Sequence, residues 1–292
     1  MVPEIQGLST CWAFVLSHTK SKTVIKVLKI SALKMSGSFG TAHSEERLAA
    51  RKELERLTKK FNFLEPDRGN LDDPNIKWRF SKPDYTQANL EYMKGKTKNH
   101  PAGSLELVVE NLVKRWEMEA SHFKDLDQWT TINKERYRAQ ANGGKGFSAE
   151  EVYKIGNYNW LMAGCKKELY DAEKEDFESS HRHFRGAFPA GFPWEVLEVF
   201  SGPPTVAFSW RHWAHYTGQY MGSQGAGELL ELYGFGVVEL DENTKLVSVN
   251  IYYKPDQFVE ALKGDITPDQ MSKGKALVGS GCPFVKSTPS SV

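Results

Sequence analysis

Thr205-Val-Ala-Phe-Ser-Trp-Arg-His-Trp-Ala-His-Tyr216 decides the fold class. Read with a period of two, it places Val206, Phe208, Trp210, His212, Ala214 and Tyr216 on one face. Thr205, Ala207, Ser209, Arg211, Trp213 and His215 fall on the other, the pattern of a long β-strand. Glu228–Leu240 reads as a second long strand, and Asp241-Glu242-Asn243-Thr244 as the hairpin turn that returns the chain along Lys245–Tyr253. Before the quoted stretch, Glu195–Phe200 is a short strand that ends at the turn Ser201-Gly202-Pro203-Pro204. After the hairpin, Lys254-Pro255 stops the last strand, and Gln257–Leu262 forms a helical turn or more.

Upstream the period changes to that of helices. Residues 44–61 carry Glu45 and Glu46 in a first turn and Leu48, Leu54 and Leu57 as apolar positions; Tyr85–Lys96 reads as a short helix. The strongest helix is N-capped by Ser104, repeats Leu107, Val108, Leu112, Val113 and Trp116 at helical spacing, and ends near Phe123. Residues 62–84 and 124–147 read as loops, the second broken at Asn142-Gly143-Gly144. Ser148 with Glu151 forms a capping-box pattern that opens a helical stretch over 148–173, weakened by Gly156 and Gly164. Helices followed by a run of antiparallel strands predict an α+β fold. Expected boundaries are a poorly ordered arm over 1–44, one domain over 45–264 with an N-terminal helical extension, and a loop-like tail over 265–292. Met35, which opens a Ser/Gly stretch, is an alternative start; the other reading of the acid-poor residues 5–44 is a targeting segment.

The balance of 38 basic and 37 acidic residues in 292 gives no long-range field to attract nucleic acid or an anionic membrane. No run approaches the roughly 20 apolar residues that span a bilayer. Cys11, Cys165 and Cys282 are too sparse for a disulfide scaffold and lack metal-site spacing, which suits a reducing, cytoplasmic setting. No dinucleotide, phosphate-loop or zinc-protease motif occurs, so neither cofactor nor metal is expected. The aromatic content of 12% predicts either a large aromatic core or an aromatic-lined pocket.

Several segments together resemble the plant pathogen-related protein family: Trp78-Arg79-Phe80, Pro101-Ala-Gly-Ser-Leu-Glu106, Trp116-Glu-Met-Glu119 with His122, Ser180-His181, Phe188-Pro189, Glu195-Val-Leu197, Ser201-Gly-Pro-Pro204, Arg211-His-Trp213 and Gly227-Glu-Leu229 with Glu231-Leu232. Phe235–Gly264 is similar to the closing hairpin and helix of SnoaL-like proteins. The resemblance implies a nuclear-transport-factor-2-like (NTF2-like) cone: a curved antiparallel sheet wrapped round helices, with a pocket in its mouth. It also implies a superfamily of cyclases, isomerases, dehydratases and plain binding proteins, within which fold does not fix function.

Candidate chemistry rests on a few residues. His212, if it faces the interior, can exchange a proton near neutral pH. Glu231 and Glu228 are candidate acids on opposite faces of one strand, with an ion pair to Arg211 as the alternative for a carboxylate there. His181 is a candidate at the pocket mouth. Glu119 and His122 share a helix face, and with His181 and His212 would form the ligand set of a metal-dependent alternative. Expected pocket walls are Trp116, Trp194, Phe208, Trp210, Trp213, Tyr216, Tyr233, Phe235, Tyr252 and Tyr253. These parts predict a cofactor-independent cyclase or isomerase for a small hydrophobic biosynthetic intermediate, with an intramolecular Diels–Alder-type closure as the best fit, because a shaped cavity and one polar donor suffice. A non-enzymatic binding or stress protein with the same pocket is the rival. A homodimer through open sheet faces is also expected.

Overall fold

The computed structural model describes residues 44–271; the arm before residue 44 and the tail beyond 271 lie outside the described residues. Strand β4, Thr205–Tyr216, is the twelve-residue stretch quoted above. It pairs antiparallel along its whole length with β7, Glu228–Leu240, from Thr205 opposite Glu239 to Tyr216 opposite Glu228. β3, Trp194–Val199, covers its other edge, and β8, Leu246–Tyr252, follows β7 through a turn in which Asp241 accepts from the Asn243 and Lys245 amides at 2.9 Å. A small two-stranded ribbon, β5 (Gln219–Tyr220) with β6 (Ser223–Gln224), closes the loop between β4 and β7.

Two further strands lie in the stretch expected to be loop. β1, Arg138–Ala141, and β2, Phe147–Ser148, form a hairpin about Asn142-Gly143-Gly144, and β1 joins the sheet parallel to β8. The six-stranded order is β2-β1-β8-β7-β4-β3, a mixed sheet with one parallel pairing. Together with the helices it makes the α+β architecture that the sequence predicts.

The apolar positions of β4 and β7 build one main core. Val206, Phe208, Trp210, Ala214 and Tyr216 pack there with Leu230, Leu232 and Val238 of β7. Gly234 and Gly236 stand opposite Trp210 and Phe208 in the register, and a Cβ at either glycine would collide with the facing ring. Two bare backbone positions thus let an indole and a phenyl ring lie flat against the sheet. Helix α3, Leu105–His122, capped by Ser104 through the Leu107 amide, delivers Val109, Trp116, Met118 and Ala120 to this inner side. The helical stretch expected over 148–173 divides into α4, Ala149–Ile155, and α5, Asn157–Leu161, at Gly156. That glycine has φ +84°, and an added Cβ would press on Phe177 and His181 at 2.9 and 3.0 Å. α6, Phe177–Ala187, a helix not among the expected elements, begins at a capping box of Asp176 with Ser179 and buries Phe177, Ser180, His181, Phe184 and Ala187. α7, Pro255–Lys263, closes the layer with Phe258, Val259 and Leu262. Beyond it, within the expected loop-like tail, Pro268–Gln270 makes a 3-10 turn and Met271 is buried.

The opposite, outer face of the sheet carries the N-terminal extension. α1, Ser44–Phe61, and α2, Thr86–Gly95, enclose Trp213 with Ala50, Leu54, Leu57, Leu90, Tyr92 and Met93 as a second apolar cluster. A buried polar group ties this pair down. The Glu110 carboxylate accepts from the Tyr92 hydroxyl, from Lys114 Nζ at 2.6 Å and from the Val196 amide at 2.8 Å. Burial pushes Lys114 down to about 7 against the pull of Glu110. No helix among the described residues is long and apolar enough to cross a membrane.

Candidate functional site

Strand parity sorts the expected site residues between two faces. On the inner face, His212 stacks on Phe192 with ring centroids 3.5 Å apart, and Phe192 continues to Phe258 at 5.5 Å. Burial drives the His212 imidazole down to about 3, with a small opposing pull from the Pro193 carbonyl, so the ring is neutral at pH 7. Trp210, two residues earlier on the same face, sits 6.0 Å from the Tyr253 ring. His212 Nδ1 and Trp210 Nε1 are both buried without a hydrogen-bond partner among the described residues. Most polar groups around them are satisfied: Trp116 Nε1 donates to the Tyr137 hydroxyl at 3.1 Å, Tyr253 donates to the Leu161 carbonyl at 2.9 Å, and Tyr216 donates to the Ser223 and Leu262 carbonyls at 2.9 and 3.2 Å. Trp194 meets Phe208 edge-on at 6.1 Å. His212, Trp116, Trp194, Phe208, Trp210, Tyr216 and Tyr253 therefore gather on the inner side, packed against one another.

The remaining expected residues do not join them. Glu231 faces Trp213 across the β4–β7 ladder and so lies on the outer face, where it accepts from Arg211 Nε at 2.7 Å and from the Tyr233 hydroxyl at 3.3 Å. The ion pair weighed as its alternative is the arrangement found. Arg211 also donates from Nη1 to Glu195 at 2.9 Å and to the Gly95 carbonyl at 3.0 Å, and lies 4.2 Å over the Trp213 ring. Burial lowers the Arg211 pKa, but the hydrogen bonds to Glu195 and Glu231 more than offset this and leave it raised. Tyr233 shares this outer network. Phe235 and Tyr252, paired across β7 and β8, are exposed on the same outer face rather than lining an interior wall. Glu228 sits at the start of β7, where it accepts from the Ala226 amide. The catalytic set His212, Glu231, Glu228 and His181 thus does not converge, because a one-residue register places Glu231 and His212 on opposite sides of the sheet.

Two surface depressions of about 310 Å3 lie away from the inner face. One is formed around Trp129, Asn133, Asp241 and Lys245. The other is floored by Trp213 and bordered by Lys94, Gly191, Pro193, Arg211, His215 and Leu229. Trp213 accordingly lines a cleft, but on the outer face.

The metal-dependent arrangement fails on geometry. The Glu119 carboxylate is committed to the Thr130 hydroxyl at 2.7 Å and to the Thr131 amide and hydroxyl at 3.0 and 2.6 Å. His122 turns instead toward Arg185, whose Nη2 lies 3.3 Å from its Nε2. Among the described residues no group of three or more His, Cys, Asp or Glu could hold a metal ion. His181 does come near His122, within a polar cluster that also contains Tyr85, Tyr158 and Arg185. The sequence singles out neither Tyr85, which opens the expected short helix over Tyr85–Lys96, nor Arg185, whose helix lies outside the expected elements.

A pathogen-related protein of Hordeum vulgare is 34% identical over 215 residues, 72% of this chain and 88% of that relative. The chain belongs to the pathogen-related protein family. No family model matches it. Among solved structures it is similar to an NTF2-like protein of unknown function from Cytophaga hutchinsonii (10% identity, TM-score 0.26, covering 50% of this chain and 88% of that one). It is also similar to a hypothetical protein of ketosteroid isomerase-like fold from Catenulispora acidiphila in complex with trimethylamine (8% identity, TM-score 0.31, covering 55% and 97%).

Proposed function

We propose that this member of the family takes a small apolar molecule against the inner face of β4 and promotes its cyclisation or isomerisation without a cofactor. The observation that carries the reading is the pair of partnerless buried nitrogens, Trp210 Nε1 and His212 Nδ1, two residues apart on one face and set in an aromatic surround. A buried polar atom without a partner costs about 1–3 kcal/mol, and a ligand oxygen accepting from the indole would remove that cost. A carbonyl held there would be polarised, while the rings of Phe192, Trp194 and Phe208 fix the fold of the attached chain. With its pKa at about 3, His212 serves as a neutral hydrogen-bonding group rather than a charged acid. An intramolecular Diels–Alder-type closure is the finer reading, since it needs no nucleophile. Binding without turnover is the second reading, favoured by the tight packing of the inner side, with Phe208 at 0% and Trp210 at 4% exposure.

The test uses substitutions that keep the rings and delete the nitrogens: Trp210→Phe and His212→Phe. With linear polyene ketones as probes, each should weaken binding about tenfold and slow any closure about 10- to 100-fold at unchanged melting temperature. Binding and rate equal to wild type in both variants would refute the inner-face site. Wild-type binding with no turnover would move the second reading ahead.

A further inference from the structure

Nine buried side-chain polar atoms lack a hydrogen-bond partner among the described residues, and four of them belong to one cluster: Tyr85 Oη, His181 Nε2, Arg68 Nε and Arg79 Nε. Contacts link their side chains without a break. Arg68 lies 3.9 Å over the Tyr85 ring, Tyr85 meets His122 edge-on at 5.9 Å, and His122 Nε2 faces Arg185 Nη2 at 3.3 Å. Arg185 hydrogen-bonds Tyr158, Tyr158 meets His181 at 5.0 Å, and His181 stacks on Phe177, which Arg79 covers at 3.7 Å. The aromatic stack of Phe184, Phe258 and Phe192 separates this cluster from His212.

Its charge balance is one-sided. Three guanidiniums surround two imidazoles that their field and burial hold neutral: His122 is well below its usual value and His181 is down to about 3, in both cases chiefly through burial and next through Arg185. Glu117 stands beside Arg185 and Glu178 acts on Arg79, while Glu65 is linked to Arg68 only through Asn89. Glu117 lies 3.9 Å from Arg185, far beyond the 2.7–2.9 Å of a charge-assisted hydrogen bond, is 45% exposed, and already accepts from Ser121. Glu178 acts on Arg79 only at long range. The tautomers follow from the partners. His181 Nδ1 donates to the Phe177 carbonyl at 2.7 Å, so Nε2 presents a bare lone pair, and His122 Nε2 accepts from Arg185. Arg68 and Arg79 each spend another nitrogen on Asn89 and on the Tyr153 carbonyl, which fixes their position and leaves Nε over.

We propose that this cluster is a binding site for the carboxylate of a small organic acid. Arg185, whose side chain is 24% exposed, exchanges its loose contact with Glu117 for the ligand carboxylate, and the Tyr85 hydroxyl donates to the same group. A hydroxyl on the ligand, if it bears one, finds its acceptor in His181 Nε2. Guanidinium with phenol suits a planar carboxylate, because two parallel N–H donors match its two oxygens.

The test is calorimetric titration of the full chain with benzoate, its neutral isostere benzamide, and inorganic phosphate. Benzoate should bind saturably and at least tenfold more tightly than benzamide or phosphate. Arg185→Gln should weaken benzoate about 10- to 100-fold and Tyr85→Phe about 3- to 10-fold, with benzamide unmoved. Tyr85→Phe keeps the ring under Arg68, so the test survives if Arg185→Gln does not fold. Trp210→Phe should leave benzoate binding unchanged, which separates this site from the inner face. The proposal is overturned if benzoate does not saturate by about 20 mM, if benzamide matches it, if phosphate binds as tightly, or if Tyr85→Phe binds benzoate as wild type does.

Discussion

Glu195→Ala gives the sharpest test of how the sheet is anchored to its N-terminal cover. The Glu195 carboxylate is fully buried and accepts from Thr97 N at 2.7 Å, Thr97 Oγ1 at 2.9 Å, Lys98 N at 3.2 Å and Arg211 Nη1 at 2.9 Å. Removing it leaves Arg211, whose side chain is 7% exposed, with Glu231 as its remaining carboxylate. Breaking a buried pair from one side costs about 3–5 kcal/mol. Unfolding entropy of about 2.1 cal/mol/K per residue, over the roughly 230 described residues, comes to about 0.5 kcal/mol/K, so Tm should fall by about 6–10 °C. Arg211→Met added to Glu195→Ala should recover part of that loss, because the buried charge then disappears together with its partner. Melting followed by circular dichroism at pH 7 reads four proteins: wild type, Glu195→Ala, Arg211→Met and the double variant. A fall of less than about 2 °C for Glu195→Ala, or a double variant that loses the full sum of its parents, would refute the reasoning.

Four further outcomes follow from the same contacts. Stability in urea should fall from pH 7 to pH 5: His122, His181 and His212 titrate below their usual 6.5 in the folded state, so unfolding takes up protons, and each histidine contributes a loss of about 1.4 kcal/mol per pH unit below 6.5. His212→Phe should flatten that slope by about one proton; an unchanged slope would show that the ring is not neutral in the fold. Gly234→Ala forces a Cβ into the Trp210 ring and the Tyr252 carbonyl and should cost about 1–3 kcal/mol by denaturant titration. Dialysis against a chelator should leave Tm unchanged, because the Glu119 oxygens are taken by Thr130 and Thr131; a drop together with release of one equivalent of metal would contradict this.

The long strands were legible because their alternation is strong and their inner positions are large and apolar. β1 was not: Arg138-Ala-Gln-Ala141 is four residues without a β-branched or aromatic side chain, and β8, the strand through which it joins the sheet, lies more than a hundred residues away. α6 was hidden because two of its buried positions are Ser180 and His181, so its stripe reads as polar until the capping box and Gly156 are seen around it. For the candidate site, parity within β4 correctly grouped His212 with Trp210, but the side taken by Glu231 depends on inter-strand register, which no single strand encodes. Arg68, Arg79 and Tyr85 come from the segment before α2 and meet α6 only in the folded chain, so their convergence has no local signal.

Glu110 joins three parts of the chain that are distant in sequence: Tyr92 on α2, Lys114 on α3 and the edge amide of β3. Loosening the helical pair from the sheet would bare a carboxylate that has lost its phenol and an ammonium already easy to deprotonate, with the β3 edge dependent on the same oxygens. The same two oxygens thus tie the extension to the sheet, and the expected outcome is that the two open together. Amide protons of α2 and of the β3–β4 pair should exchange with a common opening free energy, and Glu110→Ala should separate them into an early-opening helical pair and a later-opening sheet.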